Sequence, residues 1–337
     1  MVTDLRRSAT AAEKQVEVAR QTKRAADRLG GAVAQSSRAA DKASDRTFKQ
    51  LQAVTRALKE QAALLEKLRS ETAQQGEELR AIRVAMTAAR MKVVHAYVAE
   101  HQMSYRETLT ELAERDVSFA RFGDGELRLM VDPLYRLGFQ VNSPELGTAL
   151  RATLGEQRQT LLIGWPRAFW TAHNTSMWSV IWDEVEPLLP AGYRFGNSHV
   201  SRPDCFQELG LEAVELWRKV WDGKHVAIVT GRGSRFDLIP ELFDNLAGHE
   251  FVYSEPRNAF SDLDRLTDEV LGRADVDLCL VSLGPAGTIL TDRLATGGLR
   301  TIDVGHISSS YANVFEGKPH PEHLPPVQVP APDVFRS

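Results

Sequence analysis

From Leu51 onward, apolar positions return at alternating spacings of three and four. Leu51, Leu58, Leu65, Thr72, Leu79, Met86 and Val93 form one row, and Val54, Gln61, Leu68, Gln75, Ile82 and Ala89 form a second. This is the seam of a coiled coil. Gln61, Thr72, Gln75 and Gly76 weaken its middle. The pattern therefore predicts a helical stalk over residues 48–95 that self-associates as a dimer or trimer, although a helix packed on the chain's own globular part would show the same rows. Residues 1–47 are rich in Ala, Arg, Ser and Gln and poor in large apolar side chains. They read as a helical or flexible segment, interrupted at Gly30-Gly31.

Beyond residue 95 the rhythm changes to short apolar runs separated by amphipathic stretches. Strands are predicted over 117–122, 160–164, 193–196, 225–229, 251–254, 276–283 and 301–304. Helices are predicted near 101–115, 145–157, 170–188, 205–221, 236–247, 261–273 and 287–298. Strands alternating with helices indicate an α/β fold, a Rossmann-like, doubly wound and mainly parallel sheet. This domain is expected over 96–320, followed by a Pro-rich tail over 321–337. In such sheets, ligands bind outside the carboxyl ends of the strands.

Charge sharpens the division. The chain has 337 residues and a formal net charge of −4, but residues 1–95 hold 19 Lys and Arg against 11 Asp and Glu, leaving 22 against 34 in the remainder. A basic N-terminal part suits a solvated helix, or peripheral contact with an anionic membrane or polyanion; nucleic acid is not an expected partner. Cys205 and Cys279 are the two cysteines. Cys279 lies in an apolar run, as a small buried thiol does, and neither suggests a disulfide or metal site. No stretch has the apolar length of a membrane span or signal core, so a cytoplasmic location is expected, at most at the inner face of the membrane.

Chemistry collects at the strand ends. After the first strand, Asp124 and Glu126 lie two apart in Arg121-Phe122-Gly123-Asp124-Gly125-Glu126. They read equally well as ligands of a Mg²⁺ or Mn²⁺ ion that also takes substrate phosphates, or as the cap and first turn of a helix. Arg121 offers a planar fork for phosphate or carboxylate. Gly231, Ser234 and Arg235 follow the fourth strand in a plausible phosphate cradle that is not a P-loop. Gly284, Pro285 and Thr288 follow the sixth strand, where small residues serve either an anionic ligand or close helix packing. Asp303 and His306 follow the last strand, flanking Gly305, and are the candidates for a general base. Two further segments, one around Ser201, Arg202 and Asp204 and one around Asn258, are dense in hydrogen-bonding side chains.

Taken in order, these blocks resemble the GT-D family of bacterial glycosyltransferases, formerly a domain of unknown function. The resemblance runs from about Ser118 to Tyr311 and is most specific in Leu283-Gly284-Pro285-Ala286 and Ile302-Asp303-Val304-Gly305-His306-Ile307. It implies a single Rossmann-like domain that uses a UDP-sugar, typically UDP-glucose, to extend a glycan or glycoprotein acceptor in surface-glycan assembly, with a metal-assisting Asp-x-Glu pair. By position, that pair is Asp124 and Glu126. Arg121, Ser201, Arg202, Ser234, Arg235 and Asn258 are implied to line the donor site, alongside Gly123. Two departures stand out: Thr230 replaces the family's usual Glu, and the segment around Tyr311 lacks the family's acidic residues, Glu316 being the next acid. The other readings left open are a non-catalytic coiled-coil scaffold with a degenerate nucleotide- or glycan-binding domain, and a metal-dependent phosphoesterase, whose sites gather more carboxylates or histidines than these strand ends supply.

Overall fold

The computed structural model describes residues 2–36 and 45–324. The chain divides into two compact units, with the boundary between Met86 and Thr87. In the first unit, α1 (Val2–Ser36) is paired with the early part of α2 (Asp45–His101). Ala, Arg, Lys, Glu and Gln are strong helix formers, and α1 runs through Gly30 and Gly31 instead of breaking there. Each such glycine costs a helix about 1 kcal/mol. Contact with α2 offsets that cost: Gly30 lies against Thr55 and the Lys59 ammonium meets Asp27 at 3.1 Å, so the helices run antiparallel. Val16, Ala19 and Ala26 of α1 and Ala62 of α2 are buried. On α2, Leu51, Leu58 and Leu65 are partly covered, whereas Leu68, Leu79, Ile82 and Met86 stand exposed.

The second unit holds, in order, α3 (Tyr105–Glu114), β1 (Ser118–Arg121), α4 (Asp124–Val131), α5 (Pro144–Leu154), β2 (Leu161–Trp165), α6 (Ala172–Val185) and β3 (Gly196–Asn197). There follow α7 (Pro203–Leu209), α8 (Leu211–Trp221), β4 (His225–Gly231), α9 (Pro240–Phe243), β5 (Gly248–Ser254) and α10 (Leu263–Leu271). The unit closes with β6 (Leu278–Ser282), α11 (Pro285–Thr296), β7 (Thr301–Asp303) and α12 (Ile307–Phe315).

Every strand pairing is parallel, in the order β3-β2-β1-β7-β6-β4-β5. A parallel sheet is covered on both faces, and the alternation of side chains divides its core in two. Ala120, Ile163, Ala227, Val229, Cys279 and Val281 point to the face covered by α4, α5, α6, α10, α11 and the end of α2. Phe119, Leu162, Val226, Ile228, Leu278 and Leu280 point to the face covered by α3, α7, α8, α9 and α12. The chain builds outward from β1 to β3, then returns on the opposite side and finishes with β7 against β1. That reversal opens a crevice at the carboxyl ends of β1 and β7.

All seven predicted strands form, with local differences. The strand expected over 193–196 is reduced to two residues, because the Tyr193 hydroxyl accepts from Ile163 N–H (3.0 Å) and donates to Leu161 O (3.3 Å), holding the edge of β2 with a side chain. The helix expected over 205–221 is two helices, divided at Gly210, whose φ is +57°. The helix near 236–247 is one turn, α9, after which Asn245 ties back to Arg218 O and leads into β5. Both cysteines are buried and free, and burial raises their thiol pKa values. Among the described residues, no helix is long and apolar enough to cross a membrane. The expected tail over 321–337 lies outside the described residues beyond Leu324.

Candidate active site

The acidic turn is a helix start. Gly123 N–H donates to Glu126 Oε2 (2.8 Å), so Glu126 closes the first turn of α4 back onto its N-cap. Burial raises the Glu126 pKa to about 7, the backbone N–H bonds oppose the rise, and the neighbouring charges of Asp124 and Asp303 add to it. Asp124 is half-exposed, and its Oδ2 lies 3.2 Å from His173 Nε2 in the first turn of α6. That contact holds the Asp124 carboxyl below its usual pKa. His173 did not emerge from the sequence motifs. It follows β2, so the strand-end rule reaches it once the run Phe169-Trp170-Thr171-Ala172-His173 is read with the same attention as the other strand ends.

Arg121, at the end of β1, is held on several sides. Its Nε donates to Ser198 O (2.8 Å), its Nη1 faces Asp303 Oδ1 at 3.6 Å, and the Thr288 hydroxyl donates to its carbonyl (2.7 Å). Nη1 itself is buried without a hydrogen-bond partner. Gly305 has a φ of +47°, and a Cβ there would run into Nη1, so only glycine leaves room for this guanidinium. Asp303 Oδ1 also accepts from Gly305 N–H (2.9 Å). Asp303 is buried, and desolvation raises its pKa to about 6 against the pull of Arg121.

His306 retains solvent access at the start of α12. Partial desolvation, and then the charges of Arg202, Arg121 and Arg235, lower its pKa, which keeps the imidazole neutral at pH 7. Three guanidiniums from three different strand ends thus act on one ring. Arg202 begins α7 and pairs with Glu322. Arg235 Nη1 donates to Pro321 O (3.1 Å). Residues just past α12 therefore already contact two of these arginines. Glu316, the next acid after Tyr311, pairs instead with Lys318 at 2.6 Å.

The other expected residues occupy distinct settings. Ser234 Oγ accepts from the Thr230 hydroxyl (2.6 Å) and from Phe236 N–H (3.1 Å), organising the turn after Gly231. Ser201 is buried with its hydroxyl unpartnered. Pro285 and Thr288 are buried in the first turn of α11, behind Gly284, whose φ is +55°. Asn258, at a left-handed φ of +56°, accepts on Oδ1 from Gln140 Nε2 (2.7 Å). Among the described residues, no group of three or more His, Cys, Asp and Glu side chains is placed to hold a metal ion alone.

The glycosyltransferase GT-D fold family model matches residues 119–320, from β1 through the last residue before the Pro321 turn. The chain belongs to the GT-D glycosyltransferase family. Its GT-D domain is 30% identical over 217 residues to glycosyltransferase GlyD of Streptococcus pneumoniae, a match covering 61% of this chain and 26% of that protein. It is likewise 30% identical over 226 residues to the probable glycosyl transferase Gly of Streptococcus gordonii, covering 62% of this chain and 32% of the relative. The chain thus spans about a quarter to a third of the length of these curated relatives. Among solved structures, a new glycosyltransferase from Streptococcus sanguinis superposes with a TM-score of 0.58 at 27% identity, covering 64% of this chain and 85% of that one. A second, described as a highly conserved domain of unknown function with a distinct glycosyltransferase fold, gives 0.59 at 25% identity over 68% and 86%. The GT-D enzymes are glycosyltransferases, and the seven-stranded parallel sheet described above is the frame of that fold.

Proposed function

We propose that this GT-D domain moves a hexose from a nucleotide sugar, UDP-glucose or a similar donor, to a hydroxyl of a glycan or glycoprotein in bacterial surface-glycan assembly. The observation that carries the reading is the convergence on His306 of Arg121, Arg202 and Arg235, beside the carboxylates of Asp124, Glu126 and Asp303. Positive charge focused in a crevice suits a diphosphate, whose charge grows as the glycosidic bond to it breaks. Arg202 and Arg235 bind the diphosphate, the turn holding Ser234 supports it, and Asp303 keeps Arg121 aimed at it.

Asp124 and Glu126 supply hard oxygen donors on one helical turn. Two carboxylates fit a Mg²⁺ or Mn²⁺ ion that takes its other ligands from water and phosphates. When bound, such an ion neutralises charge on the diphosphate. His306 is reachable from solvent and Asp303 is buried behind Arg121, so His306 is the candidate for the base; its pKa, lowered by desolvation and then by the three guanidiniums, would rise again once a bound diphosphate neutralises them. Asp124→Ala with Glu126→Ala should lower transfer and donor hydrolysis by at least about 100-fold, measured as UDP release from UDP-glucose in Mn²⁺. Unchanged turnover would remove the metal-site reading.

A further inference from the structure

The loop joining α4 to α5, residues 132–143, crosses from the acidic turn to the end of β6. Leu137 lies against Gly125, with its Cδ1 3.7 Å from where a Cβ on that glycine would stand. At the far end, the Phe139 ring lies on Gly284, where a Cβ would come within 2.8 Å of the ring. Between these points the loop is fastened. Asn142 Nδ2 donates to Asp132 O (3.0 Å) and Tyr135 O (3.1 Å), closing the loop on itself. Gln140 is buried as a plug, donating to Asn258 Oδ1 (2.7 Å) and accepting from Phe260 N–H (3.3 Å). Asn258 N–H donates to Phe139 O (2.8 Å), so the Phe139 backbone is held from the neighbouring turn.

Phe139 is nevertheless 50% exposed. A solitary exposed phenylalanine is ordinary. This one is held by the pairing of buried Gln140 with Asn258 and is seated on Gly284 at positive φ, one helical turn before Gly287, where a Cβ would lie 3.8 Å from Asp303 Oδ2. Beside it, Asn258 has its Oδ1 committed to Gln140, leaving the Nδ2 amide without a partner among the described residues. An aromatic face next to an amide donor matches a planar heterocycle with a carbonyl at its edge.

We propose that Phe139 is the stacking platform for the nucleobase of the donor, with Asn258 Nδ2 donating to a carbonyl of a pyrimidine such as uracil. The inference rests on the nucleotide-sugar reading above and extends it to the recognition of the base. Stacking on an aromatic side chain acts on the base alone, so its loss spares the diphosphate contacts.

The test is isothermal titration of the full chain with UDP and, separately, with inorganic pyrophosphate in Mg²⁺. Phe139→Ala and Phe139→Leu should each weaken UDP by roughly tenfold or more, while Phe139→Trp binds UDP as tightly as the parent. Pyrophosphate affinity should be the same in all four proteins. The leucine variant keeps apolar cover on Gly284, so a loss shared by both variants reports the missing aromatic face rather than a disturbed loop. Equal UDP affinity in the parent and both variants overturns the inference alone, as does an equal loss for pyrophosphate. A parent that binds pyrophosphate but none of UDP, GDP, ADP and dTDP overturns the nucleotide reading, and the inference with it.

Discussion

At Asp303, burial and pairing act against each other: desolvation raises its pKa from 3.8 to about 6, and the Arg121 charge opposes that rise. A raised carboxyl pKa means that, between about pH 4 and 6, the folded chain holds a proton the unfolded chain has released, so this group's contribution to stability is lost as pH rises through that window. Asp303→Asn removes the dependence. The stability of that variant relative to the parent should increase from pH 4 to 6 by on the order of 3 kcal/mol and level off above, measured by urea denaturation at fixed ionic strength. Comparing the two proteins cancels the carboxyls that Asp303 does not influence; Glu126, whose pKa the Asp303 charge helps raise, titrates lower in the variant. At this scale the sequence was only partly legible. Asp124 and Glu126 announced themselves by spacing, and a helix does start there, but Gly123 and not Asp124 stands at the N-cap, and it is Glu126 that closes the first turn. His173 was not announced, because a single histidine in a helical first turn carries no pattern, and its meaning comes from the Asp124 carboxylate 49 residues away in sequence.

At the scale of elements, the chain itself engages two of the strand-end arginines. The short turn Pro321–His323 lays Glu322 on Arg202 and the Pro321 carbonyl on Arg235. On the proposed function a donor diphosphate would compete for the same guanidiniums, and occupancy of those groups by the chain would reduce apparent affinity in proportion. Glu322→Ala should therefore tighten UDP binding by roughly threefold or more in titration calorimetry, with the gain shrinking at high salt. The strands were legible as short continuous apolar runs, because a parallel strand is buried on both faces. Periodicity did not reveal α12, where Ser308, Ser309 and Ser310 have weak helix propensity and Ile307 and Tyr311 gain their reason only by packing into the core below the sheet. Nor did it shorten the helix near 240, whose end is set by Asn245 bonding back to Arg218.

Across the whole molecule, the heptad rows and the catalytic domain obey different rules. Pairing with α1 partly covers Leu51, Leu58 and Leu65, but Leu68, Leu79, Ile82 and Met86 remain exposed at spacings of three, four and eleven residues. An apolar stripe of that period suits a second copy of α2, and we propose that the segment 48–95 self-associates through it. Leu79→Asp with Ile82→Asp should shift the full chain toward monomer in sedimentation velocity while leaving UDP affinity within about twofold of the parent.

The acidic turn, the heptad rows, the apolar strand runs and the order of the motif blocks are local properties, so the chain alone determined the fold class, the Asp-x-Glu pair and the family resemblance. Local pattern has no reach across a sheet. Only the tertiary structure decided that β7 returns beside β1, that Gly305 makes room for Arg121, that Glu322 covers Arg202, and that Phe139 lies on Gly284. Each of these joins residues distant in sequence, and each depends on where the parallel crossovers deliver the strand ends.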